Sequence, residues 1–293
     1  MGTSSKTSIL GKYALPLLLL NLSYIFTALI SLRLISILNI PPTISVTEET
    51  LASSITTLAV YIIALGGGAV LLYFLIVKGA LGVIKYYVFA SFLVVIFLLT
   101  ALEIPILLPY QIYSIGGFSS LIQYLAIAII IVIMITLLSL HFFKRNRTYY
   151  FAPPAIYLCI MLASIFVLFF DAVTPIILLL AISAYDVFAV FVGPLKQVAK
   201  HLDRDEENNP FAYLLIDFGY AGLGLGDVLF YNIFIATVIR LVPNIFSIIP
   251  ILFLDTGFIV TIYLLKYRRP LPALPIPIIM GLLSLLIIII ALG

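Results

Sequence analysis

Nine apolar stretches recur along this chain, each with roughly the 20 residues needed to cross about 30 Å of hydrocarbon. They run approximately over 13–38, 53–77, 86–108, 119–143, 151–170, 172–192, 219–241, 245–265 and 273–292. A chain patterned this way is expected to be all-α, a polytopic bundle of nine transmembrane helices, because a lone lipid-facing span must satisfy its own backbone polar groups. Composition agrees: 9% of residues are charged, against about 25% in a soluble domain. No soluble block separates the runs, so the whole chain, 1–293, reads as a single membrane domain. Within it, 13–170 forms a five-helix N-terminal scaffold, 172–292 a four-helix catalytic part, and 193–218 a cytoplasmic loop. The first run is too long for a signal-peptide core and reads as a retained span. Gly66-Gly67-Gly68 in the second run reads as a close-packing face.

The basic residues give an orientation. With nine spans and a cytoplasmic N-terminus, thirteen of the fifteen Lys and Arg fall on the cytoplasmic side. Only Arg33 and Arg240 fall toward the other face, each near a helix end from which it can snorkel. The sequence therefore predicts a multi-pass protein of the cell membrane with its C-terminus outside. The lipid bilayer is its expected environment, and nothing in the charge pattern calls for nucleic acid.

Against this apolar background, carboxylates stand out. A charge at the centre of a lipid-exposed helix costs about 2.5 to 3.5 kcal/mol even on mild scales, so an intramembrane acid implies a function. Asp186, Asp227 and Asp255 lie well inside the predicted spans; Glu103, Asp171 and Asp217 lie near span ends, where a structural role is the ordinary reading. Counting from Gly193, Asp186 lies about 10 Å inside the cytoplasmic end of the sixth span. Counting from Gly219, Asp227 lies about 12 Å inside the seventh, which runs antiparallel, so the two can face each other. Asp255 falls about 15 Å deep in the eighth and fits that level less well. The match requires a non-helical segment before Gly219, and the apolar, strand-favouring residues 211–220 suit one.

Two carboxylates in a low dielectric share one proton, and that is the working state of an aspartic protease: one takes a proton from water while its protonated partner polarises the scissile carbonyl. The glycines of Gly222-Leu223-Gly224-Leu225-Gly226-Asp227 let a substrate backbone come close. His141 and His201 sit at a span end and in a loop; no Gly-x-Ser-x-Gly or His-Glu-x-x-His is present, and the single Cys159 excludes a Cys-based metal site within one chain. No metal or cofactor is called for. A second reading is a proton- or ion-coupled transporter or channel using Asp186, Asp227 and Asp255, which predicts two related halves, whereas the Gly-rich segment has no repeat in the first five spans. Pro272-Ala273-Leu274-Pro275 opens the ninth span, and its two prolines free backbone groups at a depth where such groups line cavities.

Three motifs, in order, are similar to those of the presenilin and signal peptide peptidase family, the GxGD intramembrane aspartyl proteases. They are Tyr185-Asp186 in the sixth span, Gly224-Leu225-Gly226-Asp227 in the seventh and Pro272-Ala273-Leu274 at the ninth. The resemblance covers the whole nine-span layout. It implies that Asp186 and Asp227 are the catalytic dyad, with Tyr185, Gly224, Leu225, Gly226, Pro272, Ala273 and Leu274 shaping the site or meeting substrate. It also implies an endopeptidase that cleaves transmembrane helices of membrane-protein substrates. The stretch Asp227-Val-Leu-Phe-Tyr231 and the orientation resemble presenilin rather than signal peptide peptidase. The loop before it is much shorter than in eukaryotic presenilins, which fits a prokaryotic, archaeal-type homologue without obligate partner subunits. A prepilin-type peptidase also uses a GxGD motif, but it accounts for neither Pro272-Ala273-Leu274 nor nine spans.

Overall fold

A computed structural model describes residues 9–39, 56, 81–107, 118–143, 150–191, 215–217, 222–265 and 271–292. Eight helices lie among them: α1 (Ile9–Leu38), α2 (Leu81–Leu107), α3 (Phe118–Phe143), α4 (Ala152–Phe169), α5 (Val173–Phe191), α6 (Leu225–Leu241), α7 (Ile248–Leu265) and α8 (Pro275–Leu292). Each occupies one of the nine apolar stretches. The second stretch, 53–77 with its three glycines, lies outside the described residues, as do the acidic cluster 203–210 and most of the loop 193–218. Among the described residues, five helices are long and apolar enough to cross a membrane by length and composition: α1, α2, α5, α7 and α8. Their surfaces remain rich in exposed Leu, Ile and Phe, as a lipid-facing bundle requires.

The helix that organises the rest is α6. It packs chiefly on α4 and α1, while α8 packs on α7 and α5. Ten consecutive residues, Tyr231 to Arg240, are buried, so its second half is enclosed on every side. Small residues on α4 permit the close approach: Ala155, Cys159 and Ala163, four apart, have no exposed surface. The Cys159 thiol donates to the carbonyl of Leu225, tying α4 to the start of α6. On the other side, Thr27 of α1 donates to Asn232 Oδ1 at 2.6 Å, and Asn232 Nδ2 donates to Ser23 at 3.2 Å and to the Val228 carbonyl. This satisfied polar cluster fixes the register of α1 against α6. Between α7 and α8, Gly257 lies so close to Pro277 that an added Cβ would sit 2.5 Å from its Cα.

The sequence reading placed the start of the seventh helix near Gly219; the helix begins at Leu225 instead. Residues 222–224 form a strand, β2, paired antiparallel with β1 (Leu215–Asp217) in the register Leu215 with Gly224, Ile216 with Leu223 and Asp217 with Gly222. Ile216 and Leu223, opposite each other, pack among Leu19, Leu20, Ile156 and Val228. The expected non-helical segment before Asp227 is therefore present and longer than anticipated. Alternating glycine and leucine suits a strand with one buried face, and that burial overrides the apolar run's helical look.

Candidate active site

Asp227 sits in the first turn of α6, at the third helical position after Gly224, which caps the helix in extended backbone. Its carboxylate turns back and accepts from the Gly224 backbone N–H, the same reach that a capping-box acid makes. Gly224 has to be small for this: a Cβ there would sit 2.8 Å from Asp227 Oδ2. Gly226 has a different role. It is exposed, and a Cβ would meet nothing nearer than Phe230 at 3.9 Å, so it leaves the approach to the carboxylate open.

Asp186 projects from α5. Its Oδ2 accepts from the Leu274 N–H at 3.1 Å and its carboxylate also accepts from Ala273. Asp186 and Asp227 lie within electrostatic reach of each other, so the structure brings the two predicted carboxylates together. No cation belongs to either carboxylate among the described residues, and no group of three or more His, Cys, Asp or Glu that could hold a metal is found there.

The segment Pro272-Ala273-Leu274 completes the cluster. It precedes α8, which starts at Pro275 rather than at Ala273. Its freed backbone groups are taken up one by one. The Ala273 and Leu274 N–H groups go to Asp186, and the Leu274 carbonyl accepts from Ile278 N–H. The Ala273 carbonyl accepts from the Tyr231 hydroxyl at 2.8 Å. Pro272 and Leu274 are buried and Ala273 partly so. Tyr185, beside Asp186, is 57% exposed on the outside of α5.

The depth estimate needs correction in its details. Asp227 is two residues beyond the helix start, not eight, so counting helical rise from Gly219 overstated its distance from the end. It still lies within electrostatic reach of Asp186, with strand rather than helix immediately before Leu225. Arg240 does not snorkel either. It is buried, donates to the Phe170 carbonyl and lies within electrostatic reach of Asp171.

Three residues carry more than the sequence showed. Tyr231 is fully buried, edge-on to Phe258 at 5.9 Å, and holds the Ala273 carbonyl. Asn232 anchors α1. Glu103, read from sequence as a span-end residue, is 1% exposed near Tyr157, and neither oxygen has a partner among the described residues. Only Tyr231 had a signal, its place one turn after Asp227.

Comparison with known proteins speaks to the architecture. No family model matches the chain, and no curated protein sequence matches it. Among solved structures, a presenilin family intramembrane aspartate protease superposes with a TM-score of 0.57 over 95% of this chain and 100% of its own, at 19% identity. The fold is presenilin-like. At that identity the likeness speaks for the presenilin-like scaffold alone, and the chemistry rests on the residues described above.

Proposed function

We propose that the chain is an intramembrane aspartyl endopeptidase with Asp186 and Asp227 as its dyad. The observation that carries this reading is the pair of carboxylates from two helices, within electrostatic reach of each other with no cation beside them among the described residues, set against the irregular segment 272–274. One carboxylate deprotonates a water; the other, protonated, donates to the scissile carbonyl and stabilises the developing oxyanion. Gly226 leaves room for the substrate, and Asp186 and Tyr231 keep Pro272-Ala273-Leu274 in place beside the dyad. Tyr185, Leu225 and the 272–274 segment are assigned to substrate contact or site shaping.

A peptide bond in a helix is shielded by its own hydrogen bonds, so the substrate has to unwind. Among the described residues the sheet stops at two strands, and an extended substrate can add to its edge or lie along 272–275. On this reading the protein has nine spans, a cytoplasmic N-terminus and an external C-terminus, and takes single-span substrates whose N-terminus faces outward. It needs no metal, cofactor or obligate partner subunit.

The test is cleavage of a single-span model helix in proteoliposomes by wild type and by Asp186→Ala, Asp227→Ala and Asp255→Ala. Either of the first two should lower cleavage by about a thousandfold or more; a rate near wild type in one of them defeats the dyad. Proton or ion flux without cleavage, lost in the same variants, would favour the transporter reading instead.

A further inference from the structure

Behind the dyad, a line of buried polar groups runs from α8 through α6 and α1 to α7. Tyr231 holds the Ala273 carbonyl and lies within electrostatic reach of both dyad aspartates and of Tyr24. Tyr24, buried on α1, is in turn within electrostatic reach of Asp255 on α7. Asp255 accepts from the side chain of Asn21, whose amide also donates to the Leu17 carbonyl at 3.0 Å. Two atoms in this line are buried without a hydrogen-bond partner among the described residues: the Tyr24 hydroxyl and Asp255 Oδ1.

An unpaired hydroxyl and an unpaired carboxylate oxygen each cost about 1 to 3 kcal/mol when buried. One water between two such side chains, within electrostatic reach of each other, would satisfy both atoms. We infer that Asp255, Asn21 and Tyr24 enclose a water that joins Asp255 to Tyr24, making Asp255 a positioning residue for the site. It touches neither substrate nor the reacting atoms. It orients Tyr24 and, through Tyr24 within electrostatic reach of it, Tyr231, whose hydroxyl sets the position of Ala273 and so of the N–H groups that hold Asp186. This assigns a role to the third intramembrane aspartate, which the dyad leaves unused, and it rests on the proteolytic reading for its functional consequence.

A double-mutant cycle tests it. Tyr24→Phe and Asp255→Asn should each lower kcat about tenfold, the size of one buried hydrogen bond, with KM little changed. The double variant should fall no further than either single one, because both cut the same chain of contacts. Rates are expressed per folded molecule, with the folded fraction taken from each variant's thermal unfolding. Additive losses, or losses that vanish on that correction, overturn the inference. An independent readout is the infrared band of the Asp255 side chain, identified by its disappearance in Asp255→Asn. It should shift in Tyr24→Phe, and an unmoved band overturns the water link. If the wild-type protein cleaves no membrane helix, the proteolytic reading fails and the band alone decides whether the two residues are joined.

Discussion

The α5–α6 pair carries acids at both ends, and the two ends use them in opposite ways. At one end Asp171 accepts from the Thr174 N–H at 2.8 Å and from its hydroxyl at 2.7 Å, and Arg240 lies within electrostatic reach. At the other end, about 20 Å away by helical rise, Asp186 and Asp227 lie within electrostatic reach of each other, with no cation beside them among the described residues. Asp171 begins a helix and offsets a buried guanidinium. The dyad leaves like charges close together, an arrangement a merely structural role would not favour. An intramembrane acid with a cap and a cation is architecture. One that faces another acid is poised for proton transfer.

The largest expected effect separates these ends. Asp186→Ala and Asp227→Ala should each reduce cleavage by about a thousandfold or more, since general acid–base groups contribute about 10² to 10⁴ each and act here as one unit. Removing the repulsion between the carboxylates favours folding in both, but Asp186→Ala also leaves the Ala273 and Leu274 N–H groups without their acceptor, so its Tm should be the lower of the two. The pH dependence follows from the shared proton. The doubly protonated pair lacks a base and the doubly ionised pair lacks an acid, so cleavage falls on both sides of an optimum. In either single Asp→Asn variant the residual rate should lose that bell shape; a bell that survives would place one of its limbs outside the dyad.

Gly224→Ala comes next. The new Cβ meets Asp227 Oδ2 at 2.8 Å and has to push the carboxylate off the Gly224 N–H. A displacement of that size at a reacting group costs about a hundredfold in kcat. Gly226→Ala makes only an ordinary contact with Phe230 at 3.9 Å, so its loss should appear in KM as substrate is kept away. Equal kcat losses in both would mean that the two glycines do the same job. Tyr231→Phe is smaller again. It leaves the Ala273 carbonyl unpaired in a buried setting, which costs about 1 to 3 kcal/mol. We expect about a tenfold loss in kcat and a lower Tm, measured on the same preparation.

Much of this was legible in the residues. Apolar length placed the helices to within a few residues where they are described, because about 20 consecutive apolar residues leave few alternatives. The order of the three motifs picked out Asp186, Asp227, Ala273 and Leu274, which lie near one another, while Tyr185 points to the outside of α5. The hairpin was half legible. Residues 215–217 lie in a segment that looked strand-like, but 222–224 looked like helix because an apolar run hides a period of two. Partnerships between distant residues left no local trace. Arg240 looks free to snorkel until Phe170, seventy positions earlier, accepts its hydrogen bond. Tyr231, Asn232 and Glu103 likewise look like ordinary span residues until burial and partners are seen.

The smallest effect on activity is expected at the capped end. Asp171→Ala removes the acceptor for the Thr174 N–H and hydroxyl, a cap worth about 0.5 to 2 kcal/mol. It also removes the carboxylate facing Arg240, whose guanidinium is buried where α6 ends. Leaving that charge without its acid adds to the loss, while the Phe170 carbonyl still accepts from it and limits the damage. Tm should therefore drop by several degrees, with cleavage per folded molecule close to wild type because the dyad is a helix length away. Asp171→Asn keeps an oxygen for the cap and loses only the charge, so it should recover the part of the Tm loss that belongs to the cap. If Asp171→Ala instead lowers kcat while Tm holds, the two ends of α5 and α6 are coupled. The division between an architectural acid and a chemical pair would then be drawn in the wrong place.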